Sequence, residues 1–136
     1  MTTDLVNKLN LKYSDSLLIF GENRSSDLTR DIIELEFNDQ NIKLLNSTKF
    51  DKIVIQYNQD YGSIYDVLKT ILSLCDIKSL ALVSEITAVD TNRSNGHAKS
   101  SKDSISEFIS TNERMINVWY LDETEDKFDL LIEVVR

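Results

Sequence analysis

The stretch from Lys52 to Ile86 constrains this chain more than any other. Lys52-Ile53-Val54-Ile55-Gln56-Tyr57 is short and β-branched, the composition of a buried strand. Ile64, Leu68, Ile71, Leu72 and Cys75 then recur on one helical stripe that ends near Asp76. A second apolar run, Ser79 to Ile86, follows directly. A strand, an amphipathic helix and a strand in this order pair the strands in parallel through a right-handed crossover. The chain is therefore α/β, and its 136 residues suit a single domain spanning 1–136.

The flanking segments extend the same pattern. Leu17 to Phe20 is a continuous apolar run bounded by Gly21, as in a strand buried on both faces. Ser25, Ser26 and Asp27 supply N-cap chemistry for a helix carrying Leu28, Ile32 and Leu35. Asn41 to Leu45 fits either a short strand or one helical turn, and Met1 to Ser14 fits a short helix or an arm against the core. Thr87 to Asp103 is polar and small, which predicts a mobile loop at 87–103. A helix with Ile105, Phe108 and Ile109 on one face comes next. Ile116 to Leu121 and Phe128 to Val135 alternate as strands around Asp122-Glu123-Thr124-Glu125-Asp126-Lys127, a hairpin. The expected architecture is three-layer, with a mostly parallel sheet that closes in a carboxyl-terminal antiparallel hairpin.

A formal charge of −8 repels phosphate backbones and anionic bilayers, so neither nucleic acid nor membrane is expected as a partner. No apolar run approaches the ~20 residues of a bilayer span. The first strong apolar stretch begins at Leu17, after Asp4, Lys8, Lys12 and Asp15, so no secretion signal is read and a cytoplasmic setting is expected. In that setting the Asn-x-Ser/Thr sequons at Asn23, Asn46 and Asn92 are chance occurrences. Cys75 is the single cysteine, which excludes an internal disulfide and leaves it as a core residue. The ending at Val135-Arg136, directly after a strand, fits a domain cut at a linker.

From Phe50 to Arg136 the chain resembles the carboxyl-terminal half of a class I S-adenosylmethionine-dependent methyltransferase. The resemblance rests on the Phe-Asp-x-Ile-Val-Ile strand, the helix ending in Leu-Ser-Leu-Cys, the strand closing in Ser-Glu-Ile, and the final Leu-Leu-Ile-Glu-Val-Val-Arg. It implies a Rossmann-like fold. The amino-terminal half departs from the family pattern, because after Gly21 the expected glycine-rich loop reads Glu22-Asn23-Arg24-Ser25-Ser26-Asp27. The family's second strand ends in an acidic residue that accepts from the ribose hydroxyls, and the candidate segment here ends in Asn46. A reduced, glycine-poor version of this fold is similar to the amino-terminal domain of the anamorsin family. That resemblance implies a methyltransferase-like domain without methyl transfer, in a family that serves cytosolic iron–sulfur cluster assembly through a cysteine-rich segment that this sequence does not contain.

Two functional readings follow. In the first, the domain acts through protein contacts and has no cofactor or catalytic residue. Gln56 to Gly62 leaves the carboxyl end of a central strand, where α/β sheets place their sites. Tyr57, Asn58 and Tyr61 in that loop, with His97 in the polar loop, are the partner-binding candidates. In the second reading the chain is a small active methyltransferase in which Gly21, Glu22 and Asn46 contact S-adenosylmethionine. No metal site is expected, since one histidine and one cysteine on separate elements leave too few ligands. A receiver-like module is disfavoured because Lys52 to Tyr57 ends without an aspartate. The oligomeric state is left open by the sequence.

Overall fold

A computed structural model describes residues 7–21, 29, 31–90 and 99–136. In chain order they form a helical segment over residues 7–9 (α1), β1 (Ser16–Phe20), β2 (Asp31–Leu35), α2 (Asp39–Leu44), β3 (Phe50–Gln56), a 3-10 turn (Gln59–Tyr61), α3 (Ile64–Ser73), β4 (Cys75–Thr87), β5 (Val89–Asp90), β6 (Lys99–Ser100), α4 (Ser101–Thr111), β7 (Ile116–Leu121) and β8 (Lys127–Val134). Six strands make one sheet in the order β2-β1-β3-β4-β8-β7, and β5 and β6 form a separate ribbon. The first four strands are mutually parallel, while β8 is antiparallel to both β4 and β7. This is the mostly parallel α/β sheet with an antiparallel hairpin that the sequence predicts.

The predicted helix over Leu28, Ile32 and Leu35 is corrected at residues 31–35. They are strand β2, paired with β1 from Ser16↔Asp31 to Phe20↔Leu35. Ile32-Ile33 is β-branched, and a ladder along a fully buried neighbour outweighs the helical spacing of three apolar residues. Leu28 and the cap Ser25–Asp27 lie outside the described residues. The ambiguous segment near Asn41 is helix α2, started by Asn38, whose side chain accepts from the Asn41 amide at 2.8 Å. Cys75 is also reassigned: α3 stops at Ser73, with Leu74 as its C-cap, and Cys75 opens β4. It remains a core residue.

Successive side chains on each strand point to opposite faces. One face, with Leu18, Phe20, Ile53, Ile55, Ala81, Val83, Leu130 and Ile132, packs under Ile64, Leu68 and Ile71 of α3 and Ile105 and Phe108 of α4. On the other face Leu9 is fully buried against Leu82, with Leu11, Val54, Leu80, Leu121 and Leu131 around it. Three ion pairs tie this amino-terminal segment down. Lys8 bridges Asp122 and Asp129, the latter at 3.2 Å, and Asp15 pairs with Lys52 at 3.3 Å.

Of the predicted mobile loop 87–103, both ends belong to regular elements, and residues 91–98 lie outside the described residues. Ser101 donates its amide to the Ala88 carbonyl at 2.9 Å and its hydroxyl to the Thr87 carbonyl. Ser104 Oγ donates to the buried Asp90 carboxylate at 2.9 Å. These bonds clamp the base of the loop to the start of α4.

The seating of Leu9 yields a direct test. Leu9→Ala removes the side chain that fills the second face, and is expected to cost about 2–5 kcal/mol. Urea unfolding should show a lower midpoint at an unchanged m-value.

Candidate functional site at the carboxyl edge

The strand order turns between β1 and β3, and in open parallel sheets that turning point opens a crevice outside the carboxyl ends. Three segments meet there: Gly21 after β1, Leu35-Glu36-Phe37 after β2, and Tyr57 to Tyr61 after β3. The Gly21 amide donates to the Leu35 carbonyl at 2.9 Å, which fastens the first two ends together. Gly21 has φ +128°, a conformation that side chains with a Cβ rarely adopt, so glycine is required at this position.

Aromatic rings cross the crevice. Phe37 meets Phe20 edge-on with centroids 5.1 Å apart, and meets Tyr61 on its other side at 4.8 Å. The array links the ends of β1 and β2 to the turn beyond β3. Neither Phe37 nor Glu36 stands out in the sequence, because Phe37-Asn38-Asp39 reads as a simple turn. The usable signal is the Ile32-Ile33 pair. Once it is read as strand, Glu36 becomes the acidic residue at the end of the second strand, where it is exposed.

Of the proposed cofactor residues, the structure places Gly21 and Asn46 apart. Asn46 lies beyond α2, at the opposite edge of the sheet from Gly21, in an open groove of about 440 Å3 lined by Lys43, Ser47, Lys49 and Ser73. Asn46 therefore does not end the second strand, and that position passes to Leu35-Glu36. Glu22 and His97 lie outside the described residues.

The partner-binding candidates divide by exposure. Tyr57 is buried, and its hydroxyl donates to the Gly62 carbonyl at 2.7 Å, closing the loop from within. Asn58 is exposed and caps the 3-10 turn by accepting from the Asp60 amide at 2.9 Å. Tyr61 is half-buried against Phe37. The outward surface of the loop is thus Asn58, Gln59 and Asp60. Among the described residues no three His, Cys, Asp or Glu side chains cluster to hold a metal ion.

No protein-family model matches the chain, and no curated protein matches it in sequence. Solved structures do match. A precorrin-6y C5,15-methyltransferase from Geobacter metallireducens superposes with a TM-score of 0.56 at 13% identity, covering 97% of this chain and 86% of that one. An rRNA methylase from Streptococcus thermophilus gives a TM-score of 0.59 at 9% identity, covering 98% and 95%. The fold is methyltransferase-like. At such identities the likeness concerns the fold alone.

Burial also decides the state of the thiol. Desolvation pushes Cys75 from 9.0 up to about 12, partly offset by the Arg114 and Lys49 charges. The native state therefore holds a proton that the unfolded chain releases above pH 9. This contribution to stability is complete below pH 9 and is lost as pH rises toward 12, at about 1.4 kcal/mol per unit. Urea unfolding at pH 8, 9 and 10 should show a steeper decline for the native chain than for Cys75→Ala. The thiol should react with a disulfide reagent only after unfolding.

Proposed function

We propose that this chain is a methyltransferase-like domain that acts through protein contacts, with no methyl transfer of its own. The observation that carries the reading is the aromatic array. Phe20, Phe37 and Tyr61 pack on one another at the crevice in which a fold of this kind accommodates a ligand. The sequence after Gly21 supports the same reading, since Glu22, Asn23 and Arg24 replace the small residues that let backbone amides approach a cofactor. Contacts would be made by Asn58 to Asp60 and by the loop at 87–103, in a cytoplasmic setting. Anamorsin-like service in iron–sulfur cluster assembly is a narrower form of this proposal, supported by the glycine-poor loop. The single, buried Cys75 provides no ligand set for a cluster. Among the described residues no helix is long and apolar enough to cross a membrane.

A second reading is favoured by Glu36. Its place after β2 and the positive-φ Gly21 beside it are the two features an S-adenosylmethionine-dependent enzyme would use at this edge. In that reading Glu36 would hold the cofactor's ribose hydroxyls and Phe37 would offer a ring to its adenine.

Calorimetric titration with S-adenosylmethionine and S-adenosylhomocysteine, with thermal unfolding in parallel, separates the two. The proposal expects no heat and no shift in Tm at millimolar ligand. A site filled a hundredfold above its Kd would stabilise the fold by about 2.7 kcal/mol, a shift of several degrees. Micromolar binding that weakens in Glu36→Ala would replace the proposal with the enzyme reading.

A further inference from the structure

β7 is the outermost strand of the sheet, and among the described residues no strand pairs with its outer side. The Val135 amide donates to the Met115 carbonyl at 2.9 Å, so Met115, Asn117, Trp119 and Leu121 address β8. By the alternation of an antiparallel ladder, the backbone groups of Ile116, Val118 and Tyr120 face outward. Exposed edges of this kind are normally blunted by charge, proline or a bulge.

β2, at the other edge, carries Asp31 and Glu34. β7 carries none of these devices. Ile-Asn-Val-Trp-Tyr-Leu contains no charged residue and no proline, and its register with β8 runs unbroken from Ile116↔Val134 to Leu121↔Asp129. In a chain of net charge −8 an uncharged edge is a marked exception.

The side chains agree with the backbone. Met115, Trp119 and Val135 share one face of the β7–β8 ribbon and are 53%, 44% and 40% exposed. Tyr120, on the other face, packs edge-on against Phe128 at 5.3 Å. The two ends of β7 also differ in charge. Arg136 and Arg114, whose guanidinium donates to the Leu72 and Cys75 carbonyls, flank its start with Glu113, whereas Asp122 and Glu123, paired with Lys8 and Lys102, and the exposed Glu125 and Asp126 follow its end. An antiparallel second copy would set the basic start of one strand against the acidic turn of the other.

We propose that the β7 edge is a self-association surface, on which a second copy of this chain pairs antiparallel about a two-fold axis through Val118. Ile116 then lies opposite Tyr120 of the second copy, and Asn117 opposite Trp119. The outward backbone groups of each strand are satisfied by the other, and the two sheets become one continuous sheet. Such an interface is isologous and closes at two copies.

Sedimentation velocity of the full chain from about 1 to about 100 µM, a range that brackets micromolar association, tests this. The expected result is a monomer–dimer equilibrium, with Trp119 fluorescence shifting to the blue as the dimer forms. Asn117→Lys should weaken the dimer at least about tenfold by placing like charges beside the axis. The double variant N117K/W119E sets opposite charges in register and should restore it, while Asp31→Lys on the far edge should leave it unchanged. Positions 117 and 119 are exposed, so far-UV circular dichroism and Tm should stay near those of the native chain. A monomer throughout the range would overturn the proposal and leave the edge for an extended peptide of another protein. A dimer indifferent to N117K, or one abolished by Asp31→Lys, would overturn it as well.

Discussion

β1 has no solvent face. Leu17, Leu18, Ile19 and Phe20 are all buried, and the strand is hydrogen-bonded to β2 on one side and β3 on the other. A strand enclosed in this way admits only neighbours that complete its backbone pairing, because an unsatisfied buried amide costs as much as a lost hydrogen bond. The identity of β2 follows from that constraint. Residues 31–35 have modest burial and weak periodicity, yet they take up the free side of β1. The helix stripe that the sequence offered there had no such demand behind it.

The same constraint shapes the carboxyl edge. With β1 fixed between β2 and β3, the ends of those strands are brought to one crevice, and the residues that follow them must turn away from the sheet. Gly21 turns at positive φ, Phe37 folds back over Phe20, and the loop after β3 closes on itself through the Tyr57 hydroxyl. A methyltransferase-like scaffold therefore ends here in packed rings. Among the described residues its outward chemistry consists of the polar side chains of Asn58, Gln59 and Asp60 and the exposed Glu36.

What could be read from the sequence was set by pattern strength. Lys52–Tyr57, the stripe of α3 and the two closing strands carry periodicity that only one secondary structure fits, and the parallel-plus-hairpin sheet followed from them. β2 and α2 are short, and their assignment depends on which neighbour is present rather than on their own spacing. The error at β2 then displaced the expected ribose acceptor to Asn46, at the far edge of the sheet. Phe37 escaped notice for a related reason. A ring that packs across three segments leaves no mark in the spacing of any one of them, and only the tertiary arrangement pairs it with Phe20 and Tyr61.

The amino-terminal segment has a consequence for the order in which the protein can assemble. Leu9 rests on residues from β4, β7 and β8, and Lys8 reaches carboxylates at positions 122 and 129. None of these partners exists when residues 7–15 leave the ribosome. Closing so long a loop carries an entropic cost before any contact repays it. Leu9 and Leu11 therefore stay incompletely covered until synthesis has passed β8. During translation the nascent chain carries an exposed apolar segment ahead of β1, one that ribosome-associated chaperones can hold before the native sheet claims it.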